Sequence, residues 1–292
     1  MIEVEIVDVT LRDGLQLLVN PVPLDAKLAL LSAAAAAGLR RLEVGSFVKL
    51  TQFADTPAVL AAAKAVPGLS PGVLVPNRKG FDLAIIAGAP EVIWVVSASE
   101  EHNQANLRRT IEASLAEVVE VLGEAAGAGI RVRLALATAF HCPFTGPTPH
   151  GAVFRILDRV LERRGVSEIV LADTIGHAWP SEVARLFAAV SERYPGFPFA
   201  LHAHDTLGRA IANIEAAYGA GCRMFDGALA GLGGCPYAPG ASGNVSTEDA
   251  VAFFAARGVE TGVNMAALAE AGAIASAFGA PSRVPPLARR VV

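Results

Sequence analysis

The stretch EVEIVDVTLRDGLQ, residues 3–16, decides the fold. Residues 3–9 alternate polar side chains with valine and isoleucine, the pattern of a strand. In an open nucleotide-binding sheet, the turn after such a first strand carries Gly-x-Gly-x-x-Gly. Here the turn reads Thr10-Leu11-Arg12-Asp13-Gly14. No Walker glycine loop occurs elsewhere in the chain. The first strand therefore opens something other than a dinucleotide fold.

Outward from that stretch, short β-branched runs alternate with longer helical ones. Strands are expected at 3–9, 41–44, 72–75, 92–96, 132–137, 168–171, 199–203 and 223–226. Helices are expected at 25–37, 57–65, 107–128, 148–164, 180–194 and 207–217. Several helical runs close on glycine (Gly38, Gly129, Gly165, Gly219, Gly221), which takes a left-handed cap without strain. Eight uninterrupted βα units predict a closed (β/α)₈ TIM barrel. The expected layout is one barrel domain over 1–292, with the barrel at about 3–258 and a C-terminal helical extension at about 259–292. A glycine- and proline-rich segment, 231–243, follows the eighth strand and contains Cys235. It falls on the catalytic face of a barrel and is expected to be mobile and to cover the site. A further helix is expected at 265–278, with the proline-rich tail at 281–292 packed on the exterior or partly loose.

The bulk composition narrows the function. Of 292 residues, 53% are hydrophobic and 18% charged, which suits a large buried core. The net charge is -4 with no basic run, so no nucleic-acid partner is expected. Cys142, Cys222 and Cys235 are odd in number and form no CxxC pair. That argues against a disulfide framework and for a reducing cytoplasm. The N-terminus lacks the pattern of a signal peptide. The apolar run LALLSAAAAAG is too short to span a bilayer, so it reads as a barrel helix and no membrane partner is expected.

The chemistry sits at strand ends. His202 and His204, in LHAHD, are two apart on a strand and so share one face. Turned inward, two imidazoles converge as metal ligands. Asp13 follows strand one, which in a closed barrel lies next to strand eight and close to strand seven, so its carboxylate can join them. Asn244, beyond the glycine loop, is a candidate fourth ligand. Such a mixed oxygen and nitrogen set suits Mg²⁺ or Mn²⁺. Glu43, inside strand two, needs a partner if buried, and Arg12 is the obvious one. Asp173 and Thr174 end strand six and could bind substrate oxygens or orient the histidines; alternatively, Asp173 caps the next helix. Cys235, a loop thiol with an ordinary pKa of about 8.5, suits a general acid. Cys222 reads as structural.

The motifs VDVTLRDGLQ, LEVGSF, LADTIG, LHAHDTLG and AGLGGCPYAPGASGNVSTED resemble the hydroxymethylglutaryl-CoA lyase family and, more broadly, the metal-dependent aldolase and synthase barrels. The Cys-containing glycine loop resembles the lyase branch in particular. The resemblance implies a homodimeric enzyme that takes an acyl-CoA substrate, uses Mg²⁺ or Mn²⁺, and splits 3-hydroxy-3-methylglutaryl-CoA into acetyl-CoA and acetoacetate. It implies that Asp13, His202 and His204 bind the metal with Asn244 in support, that Arg12 stabilises the enolate, that Glu43 orients Arg12, and that Cys235 is the acid. Gln16 and Thr174, with Arg12 and Asp173, are expected against the substrate. Asp13, His202 or a water is left as the base.

The chain departs from the resemblance in places. Leu11 precedes the arginine as in the synthases, and Leu17 and Leu18 stand where the lyases are polar. The segment SASEEHNQAN, 97–106, and His177 are also atypical. Leu17 and Leu18 are expected to make the acyl pocket more apolar, which keeps a different 3-hydroxyacyl-CoA, or a related hydroxy or keto acid, as an alternative substrate.

Overall fold

The structure, a computed structural model, describes residues 2–234 and 243–279. Cys235 and the tail at 281–292 lie outside these residues, so the expectations attached to them rest on sequence alone. Eight parallel strands close into a barrel: β1 (Glu5–Asp8), β2 (Arg41–Ser46), β3 (Ser70–Val75), β4 (Glu91–Ser97), β5 (Arg131–Ala137), β6 (Val166–Asp173), β7 (Phe199–Ala203) and β8 (Met224–Gly227). Each pairs with its sequence neighbours, and β1 closes the ring on β8, with Val7 opposite Asp226. All eight coincide with the expected strands.

The helices α1 (Leu24–Ala36), α2 (Thr56–Lys64), α3 (Arg78–Ile86), α4 (Glu100–Leu107), α5 (Ile111–Gly127), α6 (His150–Leu161), α7 (Pro180–Arg193), α8 (Ala210–Gly219), α9 (Thr247–Ala255) and α10 (Met265–Ser276) belong to the described residues. The helix expected at 107–128 forms as α5, and a separate helix, α4, precedes it across the atypical 97–106 segment. Arg108 turns left-handed (φ 57°) and ends α4. The Thr110 side chain then accepts the Ala113 N–H at 3.1 Å and starts α5. The break lets α4 fold over the barrel mouth, so part of the atypical 97–106 segment reaches the cavity. Helix α10 packs against α1, tied by the Asn264 N–H to the Ala37 carbonyl at 2.8 Å.

Strand residues that face the helices are sealed by apolar packing: Trp94, Leu134, Leu136, Leu171 and Phe225 are buried, and the Phe81 ring of α3 lies 6.2 Å from Trp94. Each such side chain contributes about 1.5–3 kcal/mol by leaving water. The inward face differs. Barrel interiors are usually filled by branched apolar layers. Here the lower interior holds Arg41, Glu43, Glu91, Arg133, Glu168 and Asp226, all buried. Arg41 donates to Glu168 (2.8 Å), to Glu5 (2.9 Å) and to both oxygens of Glu91 (3.2 and 3.3 Å). Arg133 donates to Glu168 (2.6 Å), Glu43 (3.1 Å) and Asp226 (2.6 Å). Buried charges survive only when paired in this way.

Candidate active site

The ladder ends upward in the site. Strand β1 runs into a π-helical turn, Thr10–Gly14, in which the Arg12, Asp13 and Gly14 amides all donate to the Val9 carbonyl. Such turns recur at functional sites because they re-aim side chains. This one carries Arg12 and Asp13 together at the barrel mouth. The Arg12 Nε donates to Glu43 Oε2 at 2.5 Å, as its strand position predicts, and its Nη1 donates to Asp13 Oδ1. Glu43 in turn accepts from Arg133. The guanidinium is thus clamped from two sides and lines the cavity.

Asp13, His202 and His204 offer ligand atoms that all lie within 4.8 Å of one another. His204 Nε2 is 3.6 Å from Asp13 Oδ2. Burial works to raise the Asp13 pKa, but Arg12 and the two histidines overcome it and hold the carboxyl well below the usual range. His202 Nδ1 lies 3.1 Å from Asp226 Oδ2, which leaves Nε2 for a cation. Burial lowers the His202 pKa, yet its hydrogen bond to Asp226 and the charges of Asp226 and Asp13 raise it on balance. A carboxylate behind a ligating imidazole fixes its tautomer and ring angle.

Asn244 arrives from beyond the glycine loop. Its Nδ2 donates to Asp13 Oδ2 at 2.8 Å and to the Leu232 carbonyl at 2.9 Å. Among the described residues, its buried Oδ1 has no hydrogen-bond partner, and neither has the buried His204 Nδ1. Orphaned buried polar atoms are rare in folded proteins. Here they sit beside a carboxylate and a second imidazole, so the residues present fit a divalent cation such as Mg²⁺ or Mn²⁺. Gly233 (φ 122°) makes the approach possible, because a Cβ there would collide with Asn244 Nδ2.

The structure also redistributes some expected roles. Gln16 and Thr174 line the cavity. Thr174 Oγ1 accepts the Thr138 N–H at 2.7 Å and keeps its own proton to donate. Asp173 does not line the cavity, which corrects its placement against substrate. It is fully buried, and its two oxygens accept the His177 and Ala178 N–H groups, each at 3.0 Å, so it builds the loop before α7. Burial raises its pKa above the ordinary carboxylate value. Leu17 and Leu18 are absent from the cavity wall as well; Leu18 is part of the hydrophobic core. His177 is exposed. Cys222 is buried, and its thiol is pushed up to about 12 by burial, in keeping with a structural role.

Sequence reading missed Asp226, Arg133 and His102. The first two carried a signal: a charged residue on the inward face of a barrel strand needs a partner, the argument that found Glu43. His102 reaches the site only because α4 folds over the mouth. The cavity that His102 and Asp226 line with Arg12, Asp13, His202 and His204 has a volume of about 160 Å³.

Comparison with known proteins places this arrangement. The sequence profile of the HMGL-like family matches residues 3–274. The chain is 42% identical over 277 residues to hydroxymethylglutaryl-CoA lyase of Pseudomonas mevalonii, covering 94% of this chain and 92% of that one. It is 42% identical over 274 residues to the mitochondrial hydroxymethylglutaryl-CoA lyase of Bos taurus, covering 93% and 84%. Its fold is similar to that of an HMG-CoA lyase from Acinetobacter baumannii solved in complex with coenzyme A and 3-methylmalate, with a TM-score of 0.89, 36% identity, and coverage of 98% and 95%. On fold, cavity and sequence together, the chain belongs to the HMGL-like family.

Proposed function

We propose that the chain cleaves 3-hydroxy-3-methylglutaryl-CoA into acetyl-CoA and acetoacetate by a metal-dependent retro-aldol reaction. One observation carries the reading: the Asp13, His202 and His204 ligand set shares a single cavity with a guanidinium clamped between Glu43 and Asp13. The relatives that bear this activity by name, and the coenzyme A complex of one of them, point the same way.

A divalent cation, when bound, supplies Lewis acidity to the reacting oxygens. The tertiary hydroxyl loses its proton, the bond between the thioester α-carbon and the tertiary carbon breaks, and the electron pair passes into the thioester as an enolate. Arg12 is positioned to meet the negative charge on the enolate oxygen. It is pre-aimed by Glu43 and Asp13, so no reorganisation is needed as charge develops. Asp13, held well below the ordinary carboxylate range, is a weak base. His202, with Nδ1 against Asp226 and Nε2 given to the cation, has no nitrogen left to accept a proton, so a water in the cavity is proposed to take the hydroxyl proton. Cys235, outside the described residues, is proposed to return a proton to the enolate carbon. The family resemblance supports a homodimer. The free cysteines Cys142 and Cys222, both buried, suit a reducing cytoplasm.

The test is direct. Protein loaded with Mn²⁺ or Mg²⁺ is incubated with 3-hydroxy-3-methylglutaryl-CoA, and free acetyl-CoA is followed. Release is expected, and its absence with metal bound rejects the reading. Cys235→Ala should depress turnover and leave Mn²⁺ affinity intact; loss of Mn²⁺ binding would remove Cys235 from the role of acid.

A further inference from the structure

Across the barrel from the metal ligands, the cavity carries a second polar group, and strand register places it. His202 pairs with Ala172, and Ala137 pairs with Ser97, so the row leading away from His202 runs Ala172, Ala137, Ser97. Ser97 thus stands three strands from His202, about 14 Å along the wall at the usual strand spacing. Its Oγ meets His102 Nδ1 at 2.7 Å, and His102 lines the cavity. Helix α4 holds the histidine there. The His102 backbone N–H donates to Ser99 Oγ at 3.3 Å, and Asn103 Oδ1 accepts the Ser97 N–H at 3.0 Å. The first turn of α4 is pinned to the end of β4, so the imidazole is aimed before any ligand arrives.

This end of the cavity is polar but neutral. Burial pushes the His102 imidazole down to about 4, so it carries no charge at pH 7. Arg109, the cation among the described residues that line this side, is committed to Glu117 and, at 3.2 Å, to the Pro76 carbonyl. A carboxylate brought here would leave water without gaining a cation. An alkyl end makes no hydrogen bond to an imidazole. A hydroxyl suits the ring in either tautomer. Nδ1 is turned to Ser97, so a ligand meets the ring at Nε2. If Ser97 donates to Nδ1, Nε2 carries the proton and donates; if Nδ1 donates to Ser97, Nε2 accepts. A hydroxyl accepts in the first case and donates in the second, whereas a carboxylate only accepts.

We propose that His102, oriented by Ser97, hydrogen-bonds a neutral hydroxyl at the far end of the substituent on the tertiary carbon, so that the enzyme favours 3-hydroxyglutaryl thioesters whose C3 substituent ends in a hydroxyl over those whose substituent is plain alkyl. The inference rests on the lyase reading above and deepens it. The reaction stays balanced: the same carbon–carbon bond breaks, the tertiary hydroxyl proton leaves, the α-carbon gains a proton, and the products are acetyl-CoA and a 3-keto acid that keeps the hydroxylated chain.

The experiment compares coenzyme A thioesters of 3-hydroxyglutarate bearing methyl, pentyl, 4-hydroxybutyl or 3-carboxypropyl at C3, on the Mn²⁺-loaded protein, by acetyl-CoA release. Pentyl and 4-hydroxybutyl are equal in length and differ by one hydroxyl. The hydroxybutyl compound should be cleaved with kcat/KM at least about tenfold above the pentyl compound, and above the carboxypropyl compound. A pentyl compound that is equal or better overturns the proposal, and so does a better carboxypropyl compound. Cleavage of the methyl compound alone also overturns it and leaves the lyase reading standing. If none is cleaved, the lyase reading falls, and calorimetry on the metal-free protein decides: the hydroxybutyl compound should bind at least about fivefold tighter than the pentyl compound. Equal or weaker binding, or none, overturns the proposal. His102→Phe, checked for folding by circular dichroism, should lower the hydroxybutyl-to-pentyl ratio of kcat/KM by at least about tenfold and leave the pentyl value within about threefold. Ser97→Ala, which frees the ring to turn, should lower the same ratio by at least about threefold. An unchanged ratio in either folded variant overturns the role of this pair, and if neither variant folds, the ratio in the parent protein decides.

Discussion

Arg133 Nη2 lies 2.6 Å from Asp226 Oδ1 in the middle of the barrel, and through that contact a residue far below the mouth helps set the angle of a metal-ligating imidazole. The same guanidinium holds Glu43, which holds Arg12. Arg133 is fully buried and touches three carboxylates. Arg133→Met leaves Glu43 with Arg12 alone, Glu168 with Arg41 alone, and Asp226 buried beside His202 with no arginine. Urea unfolding should show a loss of about 3–5 kcal/mol, and Arg133→Lys should recover only part of it because ammonium lacks the guanidinium fork. Full recovery by lysine would show that charge alone, not geometry, matters here.

Asp226→Asn removes the charge behind His202 while keeping its shape. Mn²⁺ affinity measured by calorimetry should fall by about 10–100-fold. Unchanged affinity would mean that the 3.1 Å contact does not tune the ligand.

Arg12→Gln should lower kcat by about 10²–10³-fold, the usual size for one lost donor to a developing oxyanion. Mn²⁺ affinity should stay within a few-fold, because Asp13, His202 and His204 remain. A variant that loses metal binding instead would make Arg12 a structural support of Asp13.

Metal should stabilise the fold. At a free Mn²⁺ concentration 100 times its Kd, stability should rise by about 2.7 kcal/mol over the chelated protein. His202→Ala and His204→Ala should each abolish that increment. Its persistence in either variant would place the cation elsewhere.

Asp8 offers a pH test away from the metal. Its carboxylate is buried, accepts from Thr10 N at 3.1 Å and from Thr247 Oγ1 at 2.8 Å, and is raised by burial to about 6. A raised folded-state value means the protonated form favours folding. The contribution is fully present below the unfolded value of about 3.9 and is lost as pH rises to about 6. Asp8→Asn cannot ionise; its Oδ1 still accepts the Thr10 N–H, and its Nδ2 donates to Thr247 Oγ1 in place of the carboxylate oxygen that accepted from it. The stability of Asp8→Asn relative to the parent should therefore increase by about 3 kcal/mol between about pH 3 and pH 7, then level off. A flat difference would show that Asp8 is not perturbed.

Much of this arrangement was legible beforehand. Alternation along 199–203 put His202 and His204 on one face, and the order of eight strands put Asp13 close to them. Glu43 announced its partner by being a carboxylate in a barrel strand. The reading went wrong where neighbours in sequence diverge in space. Asp173 adjoins Thr174, yet Asp173 is consumed by two backbone amides while Thr174 faces the cavity. Leu17 follows Gln16, yet only Gln16 is on the cavity wall.

The sequence by itself determined the strand count, the barrel, the His-x-His pair and the Arg12–Asp13 turn, because hydrophobic period and turn chemistry act over a few residues. Only the tertiary structure decided who meets whom across the barrel. Arg133 and Asp226 are 93 positions apart, and closure of β8 on β1 brings them to 2.6 Å. The pairing of β7 with β6 likewise sets Ala172 beside His202. The physical reason is register. A parallel strand can slide against its neighbour without changing its own alternation, so local pattern fixes which residues face inward, and only packing fixes which of them stand at the same height.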